Sequence, residues 1–128
     1  MRSPEVDAVD AFDLPEWLGV DQVTWSAESS LGDSHLVRGR LHTGADELAC
    51  DLLAGDLAFP SAVLSERWRH DAHQAWVHGQ VLLVTRDGTL TLVVPGSTVE
   101  VEQALEAVRR LAKAVGAPSE RFSVAVRL

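Results

Sequence analysis

The dipeptide Asp87-Gly88 lies between two apolar runs and constrains this chain more than any other feature. Val81-Leu82-Leu83-Val84 precedes it and Leu90-Thr91-Leu92-Val93-Val94 follows. A two-residue type I′ turn needs positive φ at both central positions, which Asp followed by Gly tolerates best, so the pattern predicts a β-hairpin. Its arms are β-branched and apolar enough for nearly buried, central strands. Pro95 and Gly96 end the second arm.

An amphipathic helix follows. Ser97 and Glu100 have capping-box spacing, and Val101, Ala104, Leu105, Val108, Leu111, Ala112 and Val115 then form one stripe at helical spacing. Gly116 and Pro118 end the helix over 97–116. Phe122, Val124, Val126 and Leu128 alternate with Arg121, Ser123, Ala125 and Arg127, which predicts a terminal strand with one wet face.

The first half is less regular. Asp13 to Gly19 reads as one or two helical turns capped by Asp13, with Leu14, Trp17 and Leu18 as its apolar face. Val23, Trp25 and Ala27 suggest a strand, and Val37, Gly39 and Leu41 another, joined by a loop over 29–33. Residues 46–59 carry two apolar phases, Leu48, Cys50 and Leu52 against Leu53, Leu57 and Phe59. We read them as a strand with a bulge near Gly55, although Thr43 and Asp46 have the residue types to cap a short helix. Over 61–78, Leu64, Trp68, Ala72, Ala75 and Trp76 share one helical arc, whose indoles anchor the core.

The resulting expectation is a single α+β domain over 13–128, with a mostly antiparallel sheet and two amphipathic helices on one face, in the order short helix-β-β-β-α-β-β-α-β. Up to its final strand, this order resembles that of the small dimeric chaperones of type III secretion; the likeness is one of element order and carries no motif. Residues 1–12 hold Glu5, Asp7 and Asp10 with few apolar side chains, and read as a disordered acidic tail.

Composition excludes several functions. A formal charge of −8 repels phosphate backbones, and no Lys/Arg stripe gathers, so no nucleic-acid partner is expected. No apolar run reaches the ~18 residues needed to cross a bilayer and no signal-peptide core opens the chain, so neither a membrane association nor export is expected. The lone Cys50 has no internal partner, which fits a cytoplasmic location. Ten Arg stand against one Lys, and Ile, Asn and Tyr are absent, which points to a high-GC bacterial genome such as an actinobacterium's. The Arg preference is thereby explained by codons and carries little functional weight.

Chemistry-bearing patterns are sparse. Glu66, His70 and His73 share the polar face of the 61–78 helix at spacings that suit three metal or ligand contacts, but a solvated face is the plainer reading and no cofactor is expected. Cys50 has no helix start or cationic neighbour to activate it, and glycines follow neither a G-x-G-x-x-G nor a Walker frame. Asp46, Glu47 and Asp51 read as solvated carboxylates on a turn and strand edge. The leading expectation is a non-enzymatic interaction module, a small adaptor or chaperone-like subunit, homodimeric, that binds another protein through its sheet edge or through Leu14, Trp17 and Leu18. The alternative is a ligand-binding protein or minor enzyme with a pocket beside the 61–78 helix, with His70 or His73 at its mouth.

Overall fold

The computed structural model describes residues 5–30, 35–56, 64–96 and 99–127. Ser97 of the expected capping box, the expected helix start at Ser61, Leu57, Phe59 and Leu128 lie outside them. Among the described residues the fold is mixed α and β, with three α-helices and an open, mostly antiparallel sheet of eight strands. In chain order the elements are β1 (Val6–Ala8), α1 (Trp17–Val20), β2 (Val23–Ala27), β3 (Leu36–Val37), β4 (Gly39–His42), β5 (Glu47–Gly55), α2 (Glu66–Val77), β6 (Leu82–Arg86), β7 (Thr89–Pro95), α3 (Val101–Ala114) and β8 (Phe122–Ala125). Across the sheet they run β1-β6-β7-β5-β4-β2-β8, with β3 also on β5.

The β6–β7 hairpin forms as the dipeptide dictates: Asp87 has φ 52° and Gly88 φ 82°, both in the left-handed region that a type I′ turn requires. β7 then pairs in parallel with β5, placing it at the sheet centre. β5 is a strand throughout, nine residues long, and needs no bulge at Gly55, since its register against β7 is continuous from Cys50 to Gly55. The two apolar phases are both satisfied because the strand is buried on both faces. Cys50, Leu52 and Ala54 enter one core cluster, while Leu53 enters another.

That division corrects the expected arrangement of the helices. α3 packs Ala104, Ala107, Val108 and Leu111 against Leu52, Leu83, Leu92 and Val94. α2 packs Ala72 and Trp68 against Leu53, Val84 and Val93, the neighbours that point the opposite way. The helices thus lie on opposite faces, because strands apolar in both phases need cover on both sides. The C-terminal end of α2 is tied to α3 by Arg110, whose guanidinium stacks 3.5 Å from the Trp76 ring centroid and donates to the Trp76 and Gln80 carbonyls at 2.8 and 3.1 Å.

Helix starts differ from expectation. α2 begins at Glu66, and the Ser65 hydroxyl accepts from the Trp68 N–H. α3 begins at Val101, with Glu100 in the extended N-cap position rather than inside a capping box. Buried Val99 anchors the extended approach.

Residues 5–12, expected as a disordered tail, are placed against the sheet. β1 pairs antiparallel with β6, and Glu5 and Asp87 exchange two hydrogen bonds: the Glu5 N–H donates to Asp87 Oδ1 at 3.0 Å, and the Asp87 N–H to the Glu5 carbonyl at 2.8 Å. Val6 packs on the α2-side core. Strand pairing uses the backbone, to which acidic side chains pointing outward are no obstacle. Asp10 rather than Asp13 supplies the next cap, accepting from the Phe12 N–H at 3.0 Å.

At the far edge β8 runs parallel to β2, with Phe122, Val124 and Val126 against the α3-side core and Ser123 and Ala125 exposed. This is the wet-faced strand that the alternation predicts.

Candidate functional site

Period-two alternation along β2, β4 and β5 sorts their side chains onto two faces. Val23, Trp25, Leu41 and Cys50 point to the α3 side and are buried. Thr24, Ser26, Arg40, His42, Glu47 and Asp51 point to the α2 side, where α2 covers Leu53, Val84 and Val93 and leaves the polar part of the sheet open. Polar contacts tie this face together. Thr24 and Ser123 hydroxyls are 2.9 Å apart, Ser26 Oγ meets His42 Nε2 at 2.9 Å, and Arg40 bridges Glu28 and Glu47 at 2.8 and 2.9 Å. The paired carboxylates hold the Arg40 guanidinium above its ordinary pKa, chiefly through the Glu28 hydrogen bond.

The strand pairing opens at the centre of this face. Leu36 and Val37 of β3 pair with Leu53 and Leu52, and Arg40 of β4 with Ala49, but between them the ladder is replaced by side chains. The Gly39 N–H donates to Asp51 Oδ1 at 3.3 Å, and the Cys50 carbonyl accepts from Trp25 Nε1 at 2.8 Å. Beside the break lies a depression of about 360 Å³ whose lining includes Glu28, Arg38, Asp51, Arg86 and Thr89. Asp51 is half-buried, and this desolvation raises its carboxyl above the usual 3.8, while the Gly39 N–H and the charges of Arg38 and Arg86 act to lower it. Arg86 Nε is buried and has no hydrogen-bond partner among the described residues.

Asp51 was expected on a solvated edge, and it sits instead in a central strand. Arg38 and Arg86 carried no signal of their own, because they are 48 positions apart in the chain and only the strand order β6-β7-β5-β4 brings them to one place. The alternation of polar residues within each strand was the available clue.

The residues singled out from sequence fall elsewhere. Leu18 is fully buried, and Leu14 and Trp17, each partly buried, pack against the same core. Beside them Phe12 and Val20 are 95% and 65% exposed, at a depression of about 390 Å³. Glu66 and His70 are exposed on α2 and His73 is partly buried. Among the described residues no three His, Cys, Asp or Glu side chains converge as metal ligands, so the Glu66, His70 and His73 set is not assembled. The depressions at Asp51, at Phe12 and between Asp10 and Lys113 are lined by residues outside α2.

Cys50 is fully buried, and burial pushes its thiol far above the ordinary 9.0, with Asp51 adding to the effect. It is held as the neutral thiol, which is neither a nucleophile nor a metal ligand. No helix among the described residues is long and apolar enough to cross a membrane.

The chain matches no protein-family model, no curated protein and no solved structure at a significant level. The likeness of element order to type III secretion chaperones therefore gains no support from solved structures.

Proposed function

We propose that this protein is a non-enzymatic interaction module that recruits another polypeptide along the outer edge of β8 and the adjoining polar face of the sheet. The observation that carries the reading is the edge itself. β8 ends the sheet, and among the described residues nothing pairs on its outer side. Its four residues, Phe122-Ser123-Val124-Ala125, are uncharged and contain no proline, so neither charge nor proline on the strand blocks strand addition. β1 at the opposite edge has three residues and carries Asp7. Strand addition gives affinity through the backbone and specificity through side chains on alternate positions, here Ser123 and Ala125 beside Thr24 and Ser26.

Arg121 and Arg127 flank the edge, so antiparallel pairing with a second β8 centred on Val124 sets like charges opposite one another. A different, acid-flanked segment fits better than a second copy. The buried, neutral state of Cys50 fits a non-enzymatic role.

Affinity capture from the native host tests this, comparing the wild type with Ala125→Lys, which places a charge on the exposed edge. A polypeptide retained stoichiometrically by the wild type, protecting β8 amides from hydrogen exchange and lost on substitution, supports the reading. No stoichiometric polypeptide, or one retained equally by a folded Ala125→Lys protein, overturns it.

A further inference from the structure

The depression beside Asp51 invites a chemical assignment, independent of the β8 edge, because two arginines line it without an ion pair to the carboxylates of Glu28, Asp51 and Asp87 that share its lining. Several other arginines are committed, Arg40, Arg109 and Arg110 to carboxylates and Arg121 to the Val20 carbonyl, whereas Arg67 and Arg127 are exposed and form no ion pair among the described residues. Among the described residues, the side chains of Arg38 and Arg86 make no hydrogen bond and no ion pair. Yet both line the same depression, and both charges are felt by Asp51.

The acids around them are engaged in other directions. Glu28 turns to Arg40 at 2.8 Å, and Asp87 Oδ1 accepts from the Glu5 N–H at 3.0 Å. Asp51 accepts from the Gly39 N–H and forms no ion pair with either arginine. The Arg86 Nε, buried without a hydrogen-bond partner among the described residues, is a local departure from polar satisfaction, and the exposed Arg38 stands across the same depression. Such a departure is resolved by a bound group that supplies acceptors. The planar guanidinium fork matches the two oxygens of a carboxylate or phosphate, and the Thr89 side chain lines the same space with a hydroxyl that can donate.

We infer that this depression is a binding site for a small oxyanion-bearing ligand, a carboxylate or a phosphate, held between Arg38 and Arg86 on the open face of the sheet. The partial burial of Arg86 strengthens a charge-assisted hydrogen bond there relative to one in open water.

Titrations with inorganic phosphate and with succinate, each at fixed ionic strength against sodium chloride, followed by amide chemical shifts, test the assignment. Saturable binding of either probe is expected, with shifts centred on residues 38, 51, 86 and 89. Binding should weaken about tenfold or more in Arg38→Gln and Arg86→Gln, as loss of a charged hydrogen bond predicts. It should be unaltered in Arg127→Gln, which removes an exposed charge at the other end of the sheet. Phosphate alone, or succinate alone, identifies which oxyanion the site takes. If Arg86→Gln fails to fold, Arg38→Gln decides. Saturation by neither probe, or equal weakening in Arg127→Gln, overturns the assignment.

Discussion

The indole of Trp25 lies directly on the backbone of Gly39: a Cβ at position 39 would fall 2.5 Å from Cε2, Cζ2 and Nε1 of the ring. Trp25 is fully buried and its Nε1–H is spent on the Cys50 carbonyl at 2.8 Å. The glycine is what allows the largest core side chain to enter the sheet and take over a backbone acceptor there. Gly39→Ala therefore forces either the strand or the ring to move. The expected loss is about 1–3 kcal/mol, typical of overpacking, measured by urea unfolding with tryptophan emission as the probe.

Gly88→Val tests a different cost. Nothing lies within 4 Å of a Cβ at Gly88, so no clash arises, and the whole effect comes from φ 82°. A β-branched residue in that region should destabilise by about 1–3 kcal/mol. An unchanged melting temperature would reject backbone strain as the reason for the glycine.

Asp51 makes stability depend on pH in a defined sense. Its folded-state pKa is raised above the unfolded value of 3.8, so the folded state favours the protonated carboxyl. That contribution is fully present below 3.8 and is lost as pH rises through the folded pKa. Asp51→Asn keeps an acceptor for the Gly39 N–H and removes the titration. The stability of this variant relative to wild type should therefore increase as pH rises from acid through the carboxylate range, in paired unfolding curves. A difference independent of pH would contradict the burial of this carboxyl.

Arg110 is the clasp between α2 and α3. It stacks on Trp76, bonds two carbonyls and pairs with Glu106 at 2.9 Å, with its side chain 15% exposed. Arg110→Ala should cost about 2–3 kcal/mol, from the stacking and the charged hydrogen bonds together. Arg110→Lys should recover only part of this, since an ammonium lacks the fork that spans the Trp76 and Gln80 carbonyls. Chemical denaturation of both variants checks the order.

Local chemistry made some of the fold legible. Asp87-Gly88 specifies its turn without reference to any distant residue, and the stripe from Ala104 to Leu111 specifies the buried face of α3. What depends on distant partners was not legible. Nothing in Val6-Asp7-Ala8 announces that β6 awaits it, and the doubled phase Leu52-Leu53 shows a strand buried on both faces only once helices are known to lie on both sides. The site was hidden for the same reason. Arg38, Asp51 and Arg86 are ordinary surface residue types until strand order makes them neighbours.

The parallel pairing of β2 with β8 has a consequence for synthesis on the ribosome. Ser123 reaches Thr24 across 99 positions of chain, with α3 bridging the sheet between them. At roughly 5–20 residues per second, β2 waits on the order of 5–20 s between its own translation and that of its outer neighbour. During that interval a nascent chain exposes β2 as a vacant edge, and Thr24 and Ser26 keep one side of that edge wettable while Val23 and Trp25 are drawn toward the forming interior. The last strand to be made closes the edge that has stood open longest, and in doing so hands the role of open edge to itself.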